Sequence, residues 1–391
     1  MIGKIDLPST IISGHHSTAQ LVQIIPQLNI NKLFLIVSGT LSERNHIPLL
    51  LSEKKIPYCV FIPPKGEPTF ENVLRAIKKL KEHHCDGIAA IGGGSIIDLA
   101  KAVSVFSVNE EETLETIHTR DLVERLPLIA VPTTAGSGSE ATKVMVITEN
   151  GRKRNPGHPS FLPDAAILDT RWTKGLPPDI TAFTGLDAFT HAVEAYVSTA
   201  ANEVTDFYAL HAIRLISRSL PHAYDRTDDE KIYADLLLGS TFAGIAFSNS
   251  STNLAHAAGR ALGAKFQIPH GLSVALLHPL VIEFGLDSCR ERYAEIAIAL
   301  GFPKEGSTSE LAELTLRFVE GLNARFRIYD HGATYIGNPE SFALSIPEVA
   351  DHALSGNGIA SNRRIPDKED IELIFDKLTD KLRNLHKKQY I

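Results

Sequence analysis

Asp187 and His191 stand four residues apart in Thr184-Gly185-Leu186-Asp187-Ala188-Phe189-Thr190-His191-Ala192-Val193-Glu194. On a helix that spacing puts a carboxylate and an imidazole on one face, where both can grip one ion. The pair fits a hydrogen-bonded core histidine equally well. A second region, Asn253-Leu254-Ala255-His256 followed by Ile268-Pro269-His270-Gly271, adds two histidines fourteen residues apart. One Asp and three His form a divalent-metal set with a position left for substrate, suited to Fe²⁺ or Zn²⁺ and, by ligand type, to Mn²⁺ or Co²⁺. The other histidines read differently. His83 and His84 close a helix, His278 sits beside Pro279 in an apolar stretch, and His15, His16 and His386 read as surface residues.

Two glycine-bearing loops carry a second kind of chemistry. Ile91-Gly92-Gly93-Gly94-Ser95 follows an expected strand and opens an expected helix. Three glycines let a backbone approach a ligand closely, Ser95 can cap the helix, and the exposed N–H groups with the helix dipole favour a phosphate. The spacing is neither GxGxxG nor a Walker A loop, and a tight strand–helix turn is the plain alternative. Pro132-Thr133-Thr134-Ala135-Gly136-Ser137-Gly138-Ser139-Glu140 also follows a strand and brings hydroxyls suited to ribose and pyrophosphate oxygens. Two such loops on one parallel sheet point to a dinucleotide at the carboxyl ends of the strands.

The elements that must position these groups fall into two textures. Residues 33–37, 58–62, 88–91 and 128–131 are short β-rich runs bounded by Gly, Pro or Ser, and 69–84 and 95–106 show helical spacing between them. Strand and helix in alternation mean a mostly parallel sheet covered by helices. After Pro177-Pro178 the chain turns Ala- and Leu-rich, and 180–198, 203–219, 228–247, 289–300 and 309–322 read as helices. The expectation is an α/β dinucleotide-binding domain over 1–176 and a helical metal-binding, catalytic domain over 177–391.

Composition narrows the class. The 391 residues are 43% hydrophobic and 22% charged, which fits a soluble protein of two domains. A net charge of −7 argues against a general nucleic-acid or membrane-surface binder, and Lys78-Lys79-Leu80-Lys81, Arg152-Lys153-Arg154 and Lys387-Lys388 read as solvated faces. Cys59, Cys85 and Cys289 lie far apart with no CxxC, so neither a disulfide framework nor a Cys-rich zinc site is expected. The start lacks a charged segment followed by an apolar one, and the most apolar stretch, 87–108, holds Asp98, Lys101 and three glycines. A cytoplasmic protein is the expectation.

Along nearly its whole length the chain resembles the iron-dependent (group III) alcohol dehydrogenases. Gly92-Gly93-Gly94-Ser95-Ile96-Ile97-Asp98-Leu99-Ala100-Lys101 is similar to that family's GGGS-x-x-D-x-A-K loop, and Pro132 to Glu140 to its PTT-x-G-[ST]-GSE loop. Gly185 to Glu194 is similar to its metal helix, His256 and His270 to its last two ligands, and Ser361-Asn362-Arg363-Arg364 to its late Asn-Pro-Arg segment, with Arg363 in the proline's place. The resemblance implies a Rossmann-like N-terminal domain, an all-α C-terminal domain with the active site in the cleft, and a homodimer. It implies reversible hydride transfer between NAD(H) or NADP(H) and a short aldehyde or alcohol at Fe²⁺, with Zn²⁺ as the second choice. Asp187, His191, His256 and His270 would be the ligands. Gly93, Gly94 and Ser95 would meet the pyrophosphate with Asp98 close behind, Thr133, Thr134 and Ser137 would line the nicotinamide and ribose, and Lys153 matches a position that touches the ribose.

Three departures from the family carry information. Gly39 stands where many members have an Asp facing the adenine ribose, so repulsion of a 2′-phosphate is absent and NADPH is expected to be accepted. Arg260 replaces a histidine four residues after His256, and Ser250-Ser251-Thr252-Asn253 replaces a glycine-rich, apolar stretch. Thr252, Asn253 and Arg260 are therefore the expected substrate contacts. A guanidinium there suits a small anionic aldehyde such as phosphonoacetaldehyde or sulfoacetaldehyde, and it equally suits pairing with a protein carboxylate such as Glu194. A dehydroquinate-synthase-like, NAD- and metal-dependent lyase is the alternative enzyme, and a structural oligomer that kept the fold without the chemistry is the non-catalytic one.

Overall fold

The computed structural model describes residues 4–39 and 46–389 and, of these, all side chains except those of 118 and 386–389. Thr40, His386 and the Lys387-Lys388 side chains lie outside that description. The chain forms two compact units, Ile2–Leu176 with Arg226–Ser248, and Pro177–Asp225 with Asn249–Ile391.

The first unit holds strands β1 (Thr10–Ser13), β2 (Leu33–Val37), β3 (Tyr58–Phe61), β4 (Gly87–Gly92), β5 (Leu128–Pro132), β6 (Ile147–Glu149), β7 (Arg152–Arg154) and β8 (Ala165–Leu168). Six of them form a parallel sheet in the order β1-β8-β5-β4-β2-β3, while β6 and β7 make an antiparallel hairpin. Every residue of β2, β4, β5 and β8 is buried. That explains their unbroken apolar runs, since helices cover both faces of a parallel sheet. Phe34 and Ile36 join the core on one face, and Leu33, Leu35 and Val37 join the core on the other. Along the chain, β2 leads to β3 on one side, then back across to β4 and β5 on the other. The order thus reverses between β2 and β4, and the carboxyl ends of these two strands carry Gly39 and the three-glycine loop.

Helices are numbered along the chain. α1 (Leu21–Gln27), α2 (Ile47–Glu53), α3 (Phe70–Glu82), α4 (Gly94–Phe106) and α5 (Thr170–Thr173) belong to the first unit. α6 (Pro178–Val197) and α7 (Glu203–Tyr224) belong to the second, and α8 (Glu230–Ser248) returns to the first. α9 (Leu254–Phe266), α10 (His270–Gly285), α11 (Arg290–Ala299), α12 (Thr308–Arg325), α13 (Ile328–Ile336), α14 (Pro339–Leu354) and α15 (Lys368–Gln389) complete the second.

The single boundary expected at 176/177 is therefore incomplete, because α8 packs with the α/β unit. The reason is local. Gly138 holds φ +62, and a Cβ on it would stand 2.7 Å from the Gly244 Cα in α8. The two glycines let loop and helix touch backbone to backbone. Thr241 Oγ1 of α8 then donates to Glu140 Oε1 at 2.7 Å, and the Lys143 N–H donates to Ser248 Oγ at 3.0 Å.

Glycines also set the approach of helices in the second unit. A Cβ on Gly271 would fall 2.2 Å from the Phe183 carbonyl oxygen, and one on Gly259 would fall 2.8 Å from Val274 Cγ2. α10 is thereby pressed against α6 and α9. Among the described residues one helical stretch, His270–Ser288, is long and apolar enough to cross a membrane, and most of it is buried within the fold.

Candidate functional site

At the carboxyl end of β4 the chain passes directly into α4. Gly93 is the N-cap, so the expectation that Ser95 caps the helix is corrected: Ser95 is the second helical residue and is exposed. The Ile96 N–H turns back to the Gly93 carbonyl at 3.0 Å, whereas the N–H groups of Gly94 and Ser95 have no partner inside the helix and lie at the positive end of its dipole. The β5 loop lies against this turn. The Thr133 N–H donates to the Gly92 carbonyl at 3.0 Å, and a Cβ on Gly94 would come within 2.6 Å of Ser137 Oγ. Thr133 is itself buried, whereas Thr134 and Ser137 are partly exposed. Among the described residues a Cβ on Gly39 would meet only Ile62, at an ordinary 3.5 Å.

Two residues expected at the nucleotide make contacts within the protein. Asp98 accepts from Ser139 Oγ and, at 2.9 Å, from the Val146 N–H, with Lys101 Nζ at 3.6 Å. Lys101 is fully buried and donates to Thr142 Oγ1 and the Val144 carbonyl at 2.9 and 2.7 Å. Burial pushes the Asp98 carboxyl up against the opposing pull of Lys101, and burial pushes the Lys101 ammonium down to about 8 against the pull of Asp98 and Glu140. The pair braces the β5 loop from below. Lys153, in the β6–β7 hairpin, pairs with Glu67 at 2.5 Å.

In the second unit, Asp187, His256 and His270 each offer one donor atom, all within 4.8 Å of one another. Asp187 comes from α6, His256 from the first turn of α9, and His270 is the first residue of α10. Asp187 Oδ1 lies 3.4 Å from His256 Nε2 and 3.7 Å from His270 Nε2. Asp187 and His256 are buried to 8% and 1% side-chain exposure, whereas His270 is 43% exposed, so the cluster is walled behind and open on one edge. The inward atoms Asp187 Oδ1 and His256 Nε2 are buried without a hydrogen-bond partner among the described residues. Such atoms are costly unless something else binds them, and a divalent ion fits their chemistry. His191, one turn beyond Asp187, lies outside the tight triad, with its ring stacked on that of His256 at 4.2 Å between centroids.

Glu194 fixes this arrangement from behind. Its carboxylate receives the His256 Nδ1 at 2.6 Å and the N–H groups of Asn253 and Ala255 at 2.7 and 2.6 Å, at the start of α9. With Nδ1–H committed to Glu194, the Nε2 of His256 is turned towards Asp187 and His270. Burial alone would raise the Asp187 carboxyl, but His191 and His270 beside it hold it well below the usual carboxylate range. Burial would lower the His256 imidazolium, but the Glu194 charge overrides this and raises it to about 9. Sequence reasoning placed Glu194 only as a partner for Arg260. The signal was present, since Asp187, His191 and Glu194 fall at i, i+4 and i+7 on one helical face.

The expected substrate residues divide. Asn253 is buried, its Nδ2 donating to the Glu194 carbonyl at 3.1 Å and its Oδ1 accepting from Ser361 Oγ at 2.8 Å, so its amide is a brace. The Thr252 carbonyl accepts from the hydroxyls of Ser251 and Ser361 at 2.7 and 3.0 Å. Arg260, one turn beyond His256 on α9, donates from Nη2 to the Asn357 carbonyl at 2.6 Å. Among the described residues no carboxylate lies within ion-pair distance of it, while burial depresses its guanidinium against the distant pull of Glu194 and Asp187. The expected alternative, a pair with Glu194, is not formed; that carboxylate accepts from His256 and from the start of α9. Arg363 donates to the Val197 and Ser198 carbonyls at 3.1 and 3.3 Å and so caps the end of α6.

Comparison with known proteins agrees with both halves of this description. Residues 8–170 match the iron-containing alcohol dehydrogenases, and 181–379 match the C-terminal part of the Fe-containing alcohol dehydrogenase family. The chain is 40% identical to the probable alcohol dehydrogenase EutG of Escherichia coli (strain K12) over 84% of each chain. It is 30% identical to an NADPH-dependent butanol dehydrogenase of Clostridium saccharobutylicum, covering 95% of this chain and 97% of that one. A solved 1,3-propanediol oxidoreductase superposes with a TM-score of 0.91 at 29% identity, over 97% of this chain and 100% of the other.

Proposed function

The chain belongs to the iron-containing alcohol dehydrogenase family of oxidoreductases, and on that premise we propose that it reduces a small anionic aldehyde to its primary alcohol, reversibly, with NAD(P)H and a divalent metal held by Asp187, His191, His256 and His270. The observation that supports the chemistry is the gathering of the Asp187, His256 and His270 donor atoms within 4.8 Å at an edge where His270 is open. When bound, the metal supplies Lewis acidity towards a carbonyl oxygen and the nicotinamide supplies the hydride.

The protein's own share is placement. Glu194 orients His256, and Gly271 lets His270 reach the same point as Asp187. Gly93, Gly94 and Ser95 present first-turn N–H groups to a pyrophosphate, Thr134 and Ser137 offer hydroxyls beside them, and Gly39 leaves room for a ribose 2′-phosphate. Asp98 and Lys101 hold that loop from beneath. The named relatives are alcohol dehydrogenases, and no feature of the cluster favours the lyase alternative over them.

The anionic head is argued from Arg260. A guanidinium in this setting with one neutral carbonyl partner is under-compensated, and a substrate carboxylate, phosphonate or sulfonate would complete it. The test follows NAD(P)H oxidation by the metal-loaded protein with propanal and with sulfoacetaldehyde, in wild type and Arg260→Ala. The variant is expected to lose roughly 1.5–3 kcal/mol, about 10- to 150-fold in kcat/KM, with the anionic aldehyde only. Equal losses with both aldehydes, or none, would remove Arg260 from substrate recognition and leave the aldehyde reductase intact.

A further inference from the structure

Behind Glu194, within the second unit, α6, α10 and the start of α11 enclose a cavity of about 30 Å³. That is room for one or two water molecules. Glu194 and His278 both face it, with apolar Val281 and Phe284 completing part of the wall.

His278 is 2% exposed, and its protonation can be read from its neighbours. Thr190 Oγ1 gives its single proton to the Leu186 carbonyl at 2.8 Å and lies 3.0 Å from His278 Nδ1. It must therefore accept from Nδ1–H. Burial pushes the His278 imidazolium down to about 4, so the ring is neutral and Nε2 is a lone pair. That Nε2 is buried with no hydrogen-bond partner among the described residues. Glu194 lines the same cavity, and its carboxylate accepts three hydrogen bonds with room to accept one more. The orphaned His278 Nε2 needs a donor, and with Glu194 on the same small cavity a group that donates twice fits both.

We propose that this cavity holds an ordered water donating one proton to His278 Nε2 and the other to Glu194, so that Thr190, His278 and the water act as positioning groups for the Glu194–His256 pair. The inference rests on the reading of His256 as a metal ligand. The chain runs from a backbone carbonyl through two side chains and a water to the carboxylate that fixes the His256 ring. Outer partners of this kind govern how well a ligand set holds its metal.

Three measurements test it on the full-length, zinc-loaded protein. A high-resolution crystal structure should show a water about 2.6–3.2 Å from both His278 Nε2 and a Glu194 oxygen. ¹⁵N spectra should show His278 as the neutral Nδ1–H tautomer from pH 6 to pH 9. Zinc affinity, measured by chelator competition, should fall about tenfold in His278→Phe and recover to within about threefold of wild type in His278→Gln, whose Oε1 restores an acceptor. NADH affinity and circular dichroism, which a general folding defect would move, should stay unchanged in both variants. An empty cavity, the Nε2–H tautomer, or zinc affinity unaltered in His278→Phe would each overturn the proposal. His256→Ala separates the two layers. If that variant binds zinc as wild type does, the ligand reading itself fails; if it loses zinc while His278→Phe does not, only the water does.

Discussion

The glycine loops of the first unit, proposed to take the nucleotide, and the side-chain cluster of the second, proposed to take the metal, are built by opposite means. In the loops, the glycines at 93 and 94 expose backbone N–H groups, and the charged side chains nearby, Asp98 and Lys101, are turned inward to hold the loop's shape. In the cluster, the side chains of three helices converge, and the glycine at 271 serves only to bring the helices close enough. A substitution that adds atoms should therefore damage the loops most, and one that removes a donor should damage the cluster most.

The largest effect is expected from the cluster. His270→Ala should lower turnover about 1,000-fold or more, because several kcal/mol of charge stabilisation depends on the ligand set. NADH binding followed by fluorescence should stay within about twofold. A variant that loses both in parallel would mean that the two regions are not independent.

Gly94→Val is the matching test on the loops. The new Cβ would stand 2.6 Å from Ser137 Oγ and 2.9 Å from Ser137 Cβ, which forces the two loops apart. NADH affinity should fall about 100-fold, consistent with the cost of overpacking a rigid site at roughly 1–3 kcal/mol plus lost phosphate contacts. Zinc content by mass spectrometry should not change. Unaltered NADH affinity would remove the pyrophosphate from this turn.

Glu194→Gln probes the support behind the cluster and should weaken zinc binding about 10- to 100-fold. It also carries a pH signature. In the metal-free protein the Glu194 charge raises His256 to about 9, so below that pH a proton occupies the site and zinc must displace it. Wild-type affinity should rise with pH up to about 9, with proton release detectable by calorimetry at pH 7 to 8. Removing the charge lowers the His256 value, so the variant should release fewer protons and its affinity should level off at lower pH.

The smallest effect sharpens the loop side. Gly39→Asp has room for its Cβ against Ile62 and should reduce NADPH affinity more than about tenfold by like-charge repulsion, with NADH affinity little changed. If wild type already prefers NADH by several orders of magnitude, Gly39 does not govern the choice.

Much of this contrast could be read in the chain itself. The buried strands and the two loops follow from short apolar runs ending in Gly, Ser and Thr, and of the four residues singled out by the Asp187/His191 and His256/His270 spacings the fold gathers Asp187, His256 and His270. Three features could not be read this way, each for a physical reason. α8 lies in sequence among helices of the second unit, yet it joins the first through a contact between Gly138 and Gly244, residues distant in sequence. Asp98 and Asn253 have the right types for ligand contacts, but in the fold they also bond to Val146, Ser139, Ser361 and Glu194, which only folding brings near. Glu194 shows the converse case: its position on the ligand face was visible, but its meeting with the first turn of α9 was not.

Asp187, His191, His256 and His270 are proposed to hold one metal ion. Anomalous diffraction from a crystal of the zinc- or iron-loaded protein tests it most directly. A single strong peak is expected about 2.0–2.2 Å from one atom of each of the four side chains, with the fourth contact made by His191 turning from its stack on His256. A peak elsewhere, or one that any of the four fails to reach, would contradict it.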